Sequence, residues 1–139
     1  MTGCRWYSHH PGRLPKRKAI GLANLILRRE KQHRPVNIIM ISDSQIRKLN
    51  AAYRRHPHPT DVLAFPADPE LGVLGDVYIS IDTARRQAAE CGLAVTEEIL
   101  RLVCHGVLHL CGYDHHRKAE TAAMNAKERR YLTGFVRHV

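Results

Sequence analysis

Apolar positions recur with a helical period over residues 15–32, where Ile20, Leu22, Ala23, Leu25, Ile26 and Leu27 make one broad face. Pro35 ends that pattern, and the unbroken apolar run over 36–41 reads as a buried strand. Ser42 or Asp43 is placed to cap a following helix that carries Ile46, Leu49 and Tyr53 on one side. Pro57 and Pro59 forbid its continuation, since each removes a donor and restricts its predecessor. Residues 62–65 form a short strand closed by Pro66, and 75–81 form another. A weaker strand falls at 5–9, before the breaker pair Pro11-Gly12. Asp82 or Thr83 opens a helix that runs to about Cys91, where Gly92 stops it. Thr96 is the expected cap of a central helix, with Glu97 and Glu98 against its N-terminal dipole. That helix continues through Ile99, Leu100, Leu102, Val103, Val107, Leu108 and Leu110 to Gly112, and a last one spans 118–132. About four strands scattered among about five helices predict an α+β fold with a small mixed sheet.

Length and composition limit this to one domain over residues 1–139, since 15.8 kDa with 44% hydrophobic residues fills one core and not two. Charge adds a direction. Lys and Arg outnumber Asp and Glu by 22 to 13, giving +9 and a pI near 9.8, which favours a polyanionic partner through counterion release. Many basic proteins carry such a charge only for solubility, so it does not name the partner. No apolar run approaches a membrane span, and residues 1–17 lack the apolar stretch of a secretory signal. A cytoplasmic location is therefore expected. Cys4, Cys91, Cys104 and Cys111 contain no CxxC pair and are expected as free thiols.

The candidate chemistry lies in His105-Gly106-Val107-Leu108-His109-Leu110-Cys111-Gly112-Tyr113-Asp114-His115. His105 and His109 stand one helical turn apart, so their rings reach one ion from one face. Gly112 can take the left-handed conformation that ends a helix, after which His115 swings back as a third nitrogen donor. Three imidazoles leave a fourth position for water, as in catalytic zinc sites. A helical histidine pair alone is more often decoration, but the glycine and third histidine at this spacing favour a metal. Cys104 and Cys111 share a helix face turned about 100° or more from the nearest histidine, and are expected in the core. The spacing also matches the metzincin peptidases, which place a glutamate base directly after the first histidine. Here that position is Gly106, so no peptide substrate is expected.

HGVLHLCGYDH resembles the signature of the YbeY endoribonucleases, metal-dependent proteins of ribosomal RNA maturation. Leu49-Asn50-Ala51-Ala52-Tyr53-Arg54 and 59–66 are similar to that family's LNxxYR and PTDVLSFP segments, and 74–80 to its LGDIxIS strand. Met124 and Glu128 fit its final helix. The resemblance covers roughly residues 36–132. It implies a zincin-like fold, one zinc ion per chain on His105, His109 and His115, and cleavage of single-stranded RNA. It further implies ribosomal RNA, the small ribosomal subunit and its assembly factors as partners, in maturation and ribosome quality control. The family's arginine falls on Arg54, whose guanidinium stays charged and grips two phosphate oxygens at once; Arg54 and His109 are thus the catalytic candidates. Two positions depart from the pattern: Pro57 replaces an acidic residue, and Ala64 replaces serine.

A general base is not evident, with Glu128 and Asp114 as weak candidates beside a second water or the RNA's 2′-hydroxyl. The alternative from another class is an RNA-binding assembly factor whose zinc is structural. The basic stretches 13–18 and 28–34 would then carry the function.

Overall fold

The computed structural model describes residues 3–10, 12–54, 60–114 and 117–137. The elements follow in the order β1 (Cys4–Ser8), α1 (Lys16–Arg29), β2 (Val36–Ile41), α2 (Asp43–Arg54), β3 (Val62–Pro66), β4 (Gly75–Ser80), α3 (Ile81–Cys91), α4 (Val95–Leu110) and α5 (Lys118–Leu132), with a 3-10 turn at Pro69–Leu71. The strands form one mixed sheet in the order β1-β2-β4-β3. β1 and β4 flank β2 in parallel, while β3 runs antiparallel to β4 and forms an edge. This is the expected α+β architecture, four strands with five helices among the described residues.

The alternation within β2 decides how the layers stack. Val36, Ile38 and Met40 are buried while Asn37, Ile39 and Ile41 are half-buried, so one face of the sheet turns to the core. α1 and α4 pack together over that face, and α5 closes over both. Leu22, Ile26, Ile38, Ile79, Ile99 and Leu108 are fully buried between these layers. Among the described residues, α2 lies over part of the opposite face.

Several boundaries shift from the sequence reading, each for a local reason. β1 is Cys4–Ser8, set one residue earlier by its pairing with β2 in the register Cys4↔Val36 to Ser8↔Met40. α4 starts at Val95 after Ala94, with no side-chain cap, so Thr96 lies inside the first turn and is not the cap. It ends at Leu110, and Gly112 (φ 106°) makes the left-handed turn beyond it. α3 is capped by Ser80, whose Oγ accepts from the Thr83 amide at 3.2 Å; Asp82 and Thr83 lie within the helix. Asp82 instead accepts the Asp43 amide at 2.8 Å. Ser42 and Gln45 form a reciprocal capping box at the start of α2, with the Ser42 amide donating to Gln45 Oε1 and the Gln45 amide to Ser42 Oγ.

The beginnings of α2 and α3 are clasped together. Asp43 accepts from Ser80 Oγ at 2.5 Å, Thr83 Oγ1 at 2.6 Å and Arg86 at 2.8 Å. Burial raises the Asp43 pKa, but these hydroxyls and the Arg86 guanidinium outweigh it and hold the carboxyl at about 2.

Candidate metal centre

α4 is apolar almost all round. Ile99, Leu100, Leu102, Val103, Cys104, Gly106, Val107, Leu108 and Leu110 are buried, while Arg101, His105 and His109 are half-buried at intervals of four residues. Polar side chains on one stripe of a core helix form a lining rather than a solvated face. Gly106 explains how the helix comes so close to the sheet. A Cβ there would lie 2.5 Å from Val77 Cγ1 and 3.4 Å from Val62 Cγ2, so any side chain would push α4 off β4 and β3. The metzincin glutamate has no room at this position.

His105 is held from outside its own helix. Its Nδ1 lies 3.3 Å from Glu128 Oε1 on α5. A carboxylate only accepts, so Nδ1 carries the proton and Nε2 keeps the lone pair a metal needs. Glu128, a candidate base in the sequence, thereby acts as an orienting partner of His105. On the same stripe, burial raises the Glu98 pKa; Arg101 opposes that rise and Asp61 adds to it.

The turn after α4 is anchored by a residue that the sequence did not single out. Glu30, just past the end of α1, accepts from Tyr113 Oη at 2.9 Å, from Lys127 Nζ at 3.3 Å and from Tyr131 Oη. Burial works against its charged form, but these donors and the Lys127 charge keep its pKa below the ordinary glutamate value. Tyr113, two residues before His115, is thus fixed to α1 and α5 together. No local signal marks Glu30, which sits among Arg28, Arg29 and Lys31 on a basic helix end and finds its partners 83 to 101 residues away.

His105 and His109 are therefore placed on one stripe, with their intended companions beyond view. His115 lies outside the described residues, as do Arg55, His56, Pro57 and His58. Arg54 ends α2, and its side chain is likewise outside them. Among the described residues, no third His, Cys, Asp or Glu completes a metal-holding group. Asp114 is half-buried beside Tyr113. The donor set nonetheless fits a borderline metal such as zinc, with neutral imidazoles and a carboxylate already orienting one of them. All four cysteines are free; Cys104 is buried in the core and burial pushes the Cys111 thiol up to about 12. No helix among the described residues is long and apolar enough to cross a membrane.

Comparison with known proteins bears on the whole of this arrangement. The family model described as "Endoribonuclease YbeY" matches residues 15–136. A curated "Endoribonuclease YbeY" of Aquifex aeolicus is 46% identical over 105 residues, which are 73% of this chain and 64% of that protein. One of Anaeromyxobacter dehalogenans is 40% identical over 129 residues, 89% of this chain and 67% of the relative. One of Chloroherpeton thalassium is 36% identical over 126 residues, 90% of this chain and 89% of the relative. The matched part is thus slightly under two thirds of the Aquifex protein's own length. Among solved structures, the solution structure of TM1509 from Thermotoga maritima aligns with a TM-score of 0.67 at 31% identity, over 93% of this chain and 86% of that one.

Proposed function

This chain belongs to the endoribonuclease YbeY family, and from that premise we propose that it is a zinc-dependent endoribonuclease specific for single-stranded RNA. Its place is in the cytoplasm, in the maturation of small-subunit ribosomal RNA and in ribosome quality control, with the small ribosomal subunit and its assembly factors as partners. The observation that carries the reading is the pair His105 and His109, half-buried on a helix whose neighbouring positions are all buried, with His105 Nδ1 committed to Glu128.

His105, His109 and His115 hold the ion. Bound there, zinc supplies Lewis acidity and a water made acidic enough to react at neutral pH. Three neutral imidazoles leave the site net positive, which suits a phosphodiester better than a neutral amide. Arg54 grips two phosphate oxygens and neutralises the charge that builds on them. Glu128 keeps the proton of His105 on Nδ1 and so fixes which nitrogen faces the ion. The surplus of basic residues draws the polyanion to the surface.

Arg54 is tested by substitution with alanine and with lysine, measuring zinc per chain and single-turnover cleavage of a single-stranded RNA. Arg54→Ala is expected to keep its zinc and lose about a hundredfold or more in cleavage rate, with Arg54→Lys recovering part of it. A wild-type rate in Arg54→Ala removes that residue from the chemistry.

A further inference from the structure

Three segments of the sequence supply none of the proposed metal ligands, and they meet on the sheet face that α2 crosses. Leu49 and Tyr53 of α2, Phe65 and Pro66 of β3, and Asp76 and Tyr78 of β4 line a cavity of about 330 Å³. Phe65 is the register partner of Asp76, and this parity is opposite to that of Val77, which lies under α4. Cavity and histidine pair therefore lie on opposite sides of the edge strand β3, and close together. A Cβ at Gly75 would touch both the Phe65 carbonyl, at 2.5 Å, and Leu110 Cδ2, at 2.7 Å, so the Phe65 backbone and the residue after His109 both lie beside Gly75.

The lining has the chemistry of a base pocket. Tyr53 and Phe65 have ring centroids 5.3 Å apart, and Phe65 and Tyr78 5.8 Å, a connected aromatic row. Tyr53 stands on this row while 71% exposed, presenting a large ring to solvent. Asp76 accepts from Asn37 Nδ2 at 2.9 Å through Oδ1, and its other oxygen has no hydrogen-bond donor among the described residues. An acceptor beside stacked rings suits the donor edge of a flat heterocycle and not an aliphatic side chain. Tyr53 is also the direct neighbour of Arg54, and the chain carries +9, so a phosphate and the base attached to it would meet adjacent residues.

We propose that this cavity receives one unpaired nucleobase of the RNA, stacked on Tyr53 and Phe65, with Asp76 accepting a hydrogen bond from the base's exocyclic amino group. The inference rests on the endoribonuclease reading above and deepens it. A paired base cannot offer its face and its Watson–Crick edge together, so the pocket itself selects single strands. Adenine, guanine and cytosine carry the amino group and uracil does not, so uracil is held least well.

The test uses the protein as purified and a short single-stranded 2′-O-methyl RNA, which keeps bases and charge but resists cleavage. One position carries the fluorescent base 2-aminopurine, so that anisotropy reports binding and quenching reports stacking. Wild type is expected to bind and quench. Tyr53→Ala should bind about tenfold more weakly with the quenching lost, while Tyr53→Phe retains both. Asp76→Asn should reduce the preference for amino-bearing bases over uracil. Because Tyr53 is exposed, its truncation leaves the core intact. Wild-type binding and quenching in Tyr53→Ala would overturn the pocket and leave the endoribonuclease reading standing. A fall in oligomer size in Tyr53→Ala with RNA binding unchanged would overturn it in favour of a self-association surface. Absence of any RNA binding by wild type would remove both.

Discussion

Glu128 reaches His105 from another helix, and the proton it accepts settles which face of the imidazole is left for an ion. Removing that acceptor takes away the contact that favours the proton on Nδ1. Glu128→Ala is therefore expected to weaken zinc binding about tenfold to a hundredfold, measured by competition with a chromogenic chelator. Unchanged affinity would mean that another contact sets the ring. Asp43 poses a different question at the same scale, since it touches stability rather than chemistry. Its carboxyl titrates near 3.8 in an unfolded chain and at about 2 in the fold. A depressed pKa stabilises the charged, folded form above the unfolded value, and that contribution disappears as pH falls through about 2. Asp43→Asn should therefore be less stable than wild type at neutral pH, by about 1–2 kcal/mol. The difference should shrink between pH 4 and pH 2, read by denaturant unfolding across that range. A gap that stays constant on acidification would place the stabilisation in hydrogen-bond geometry and not in charge.

At the scale of elements, α4 does two jobs that conflict for most sequences: it packs flat on the sheet and it exposes a polar stripe. Gly106 reconciles them. Alanine is ordinarily the better helix former by up to about 1 kcal/mol, but at 2.5 Å from the stiff Val77 its methyl has nowhere to go. Gly106→Ala is expected to destabilise by about 1–3 kcal/mol in thermal or denaturant unfolding, with Val77→Ala in the same chain recovering part of the loss. A stabilised Gly106→Ala would show that helix propensity wins over the close approach. The same helix shows what a sequence can and cannot disclose. The i, i+4 histidines, the glycine that turns after them and the limits of α5 were all legible, because each depends on neighbours within a turn or two. The start of α4 was misread at Thr96, since the helix begins at Val95 without a side-chain cap and the usual cap signal fell within its first turn. Glu30 was missed altogether, and Glu128 was noticed only as a weak candidate base, without its contact to His105. Their partners are set by how α1, α4 and α5 pack, and no window along the chain contains both sides of those contacts.

Over the whole molecule, the edge strand β3 separates two surfaces, the histidine stripe of α4 and the aromatic row under α2, both of which the proposed reading assigns to RNA. Both depend on the sheet order β1-β2-β4-β3, which places β3 at the margin although it precedes β4 in the chain. Strand order was not legible in the sequence, whose periodicity gave the strands but not their neighbours. Glu30 ties the end of α1 to Tyr113 and α5, so the turn that leads toward His115 is braced by elements from both halves of the chain. The fold thus presents two histidines on one helix and braces the turn that leads toward a third, in keeping with the metal-dependent reading proposed above. The most direct measurement is zinc content by mass spectrometry on wild type and His109→Ala, with single-stranded RNA cleavage and thermal unfolding recorded on the same samples. About one zinc per wild-type chain is expected, with metal and cleavage lost together in His109→Ala while the variant still unfolds cooperatively. Cleavage at the wild-type rate in His109→Ala would contradict a metal-dependent reaction at this site.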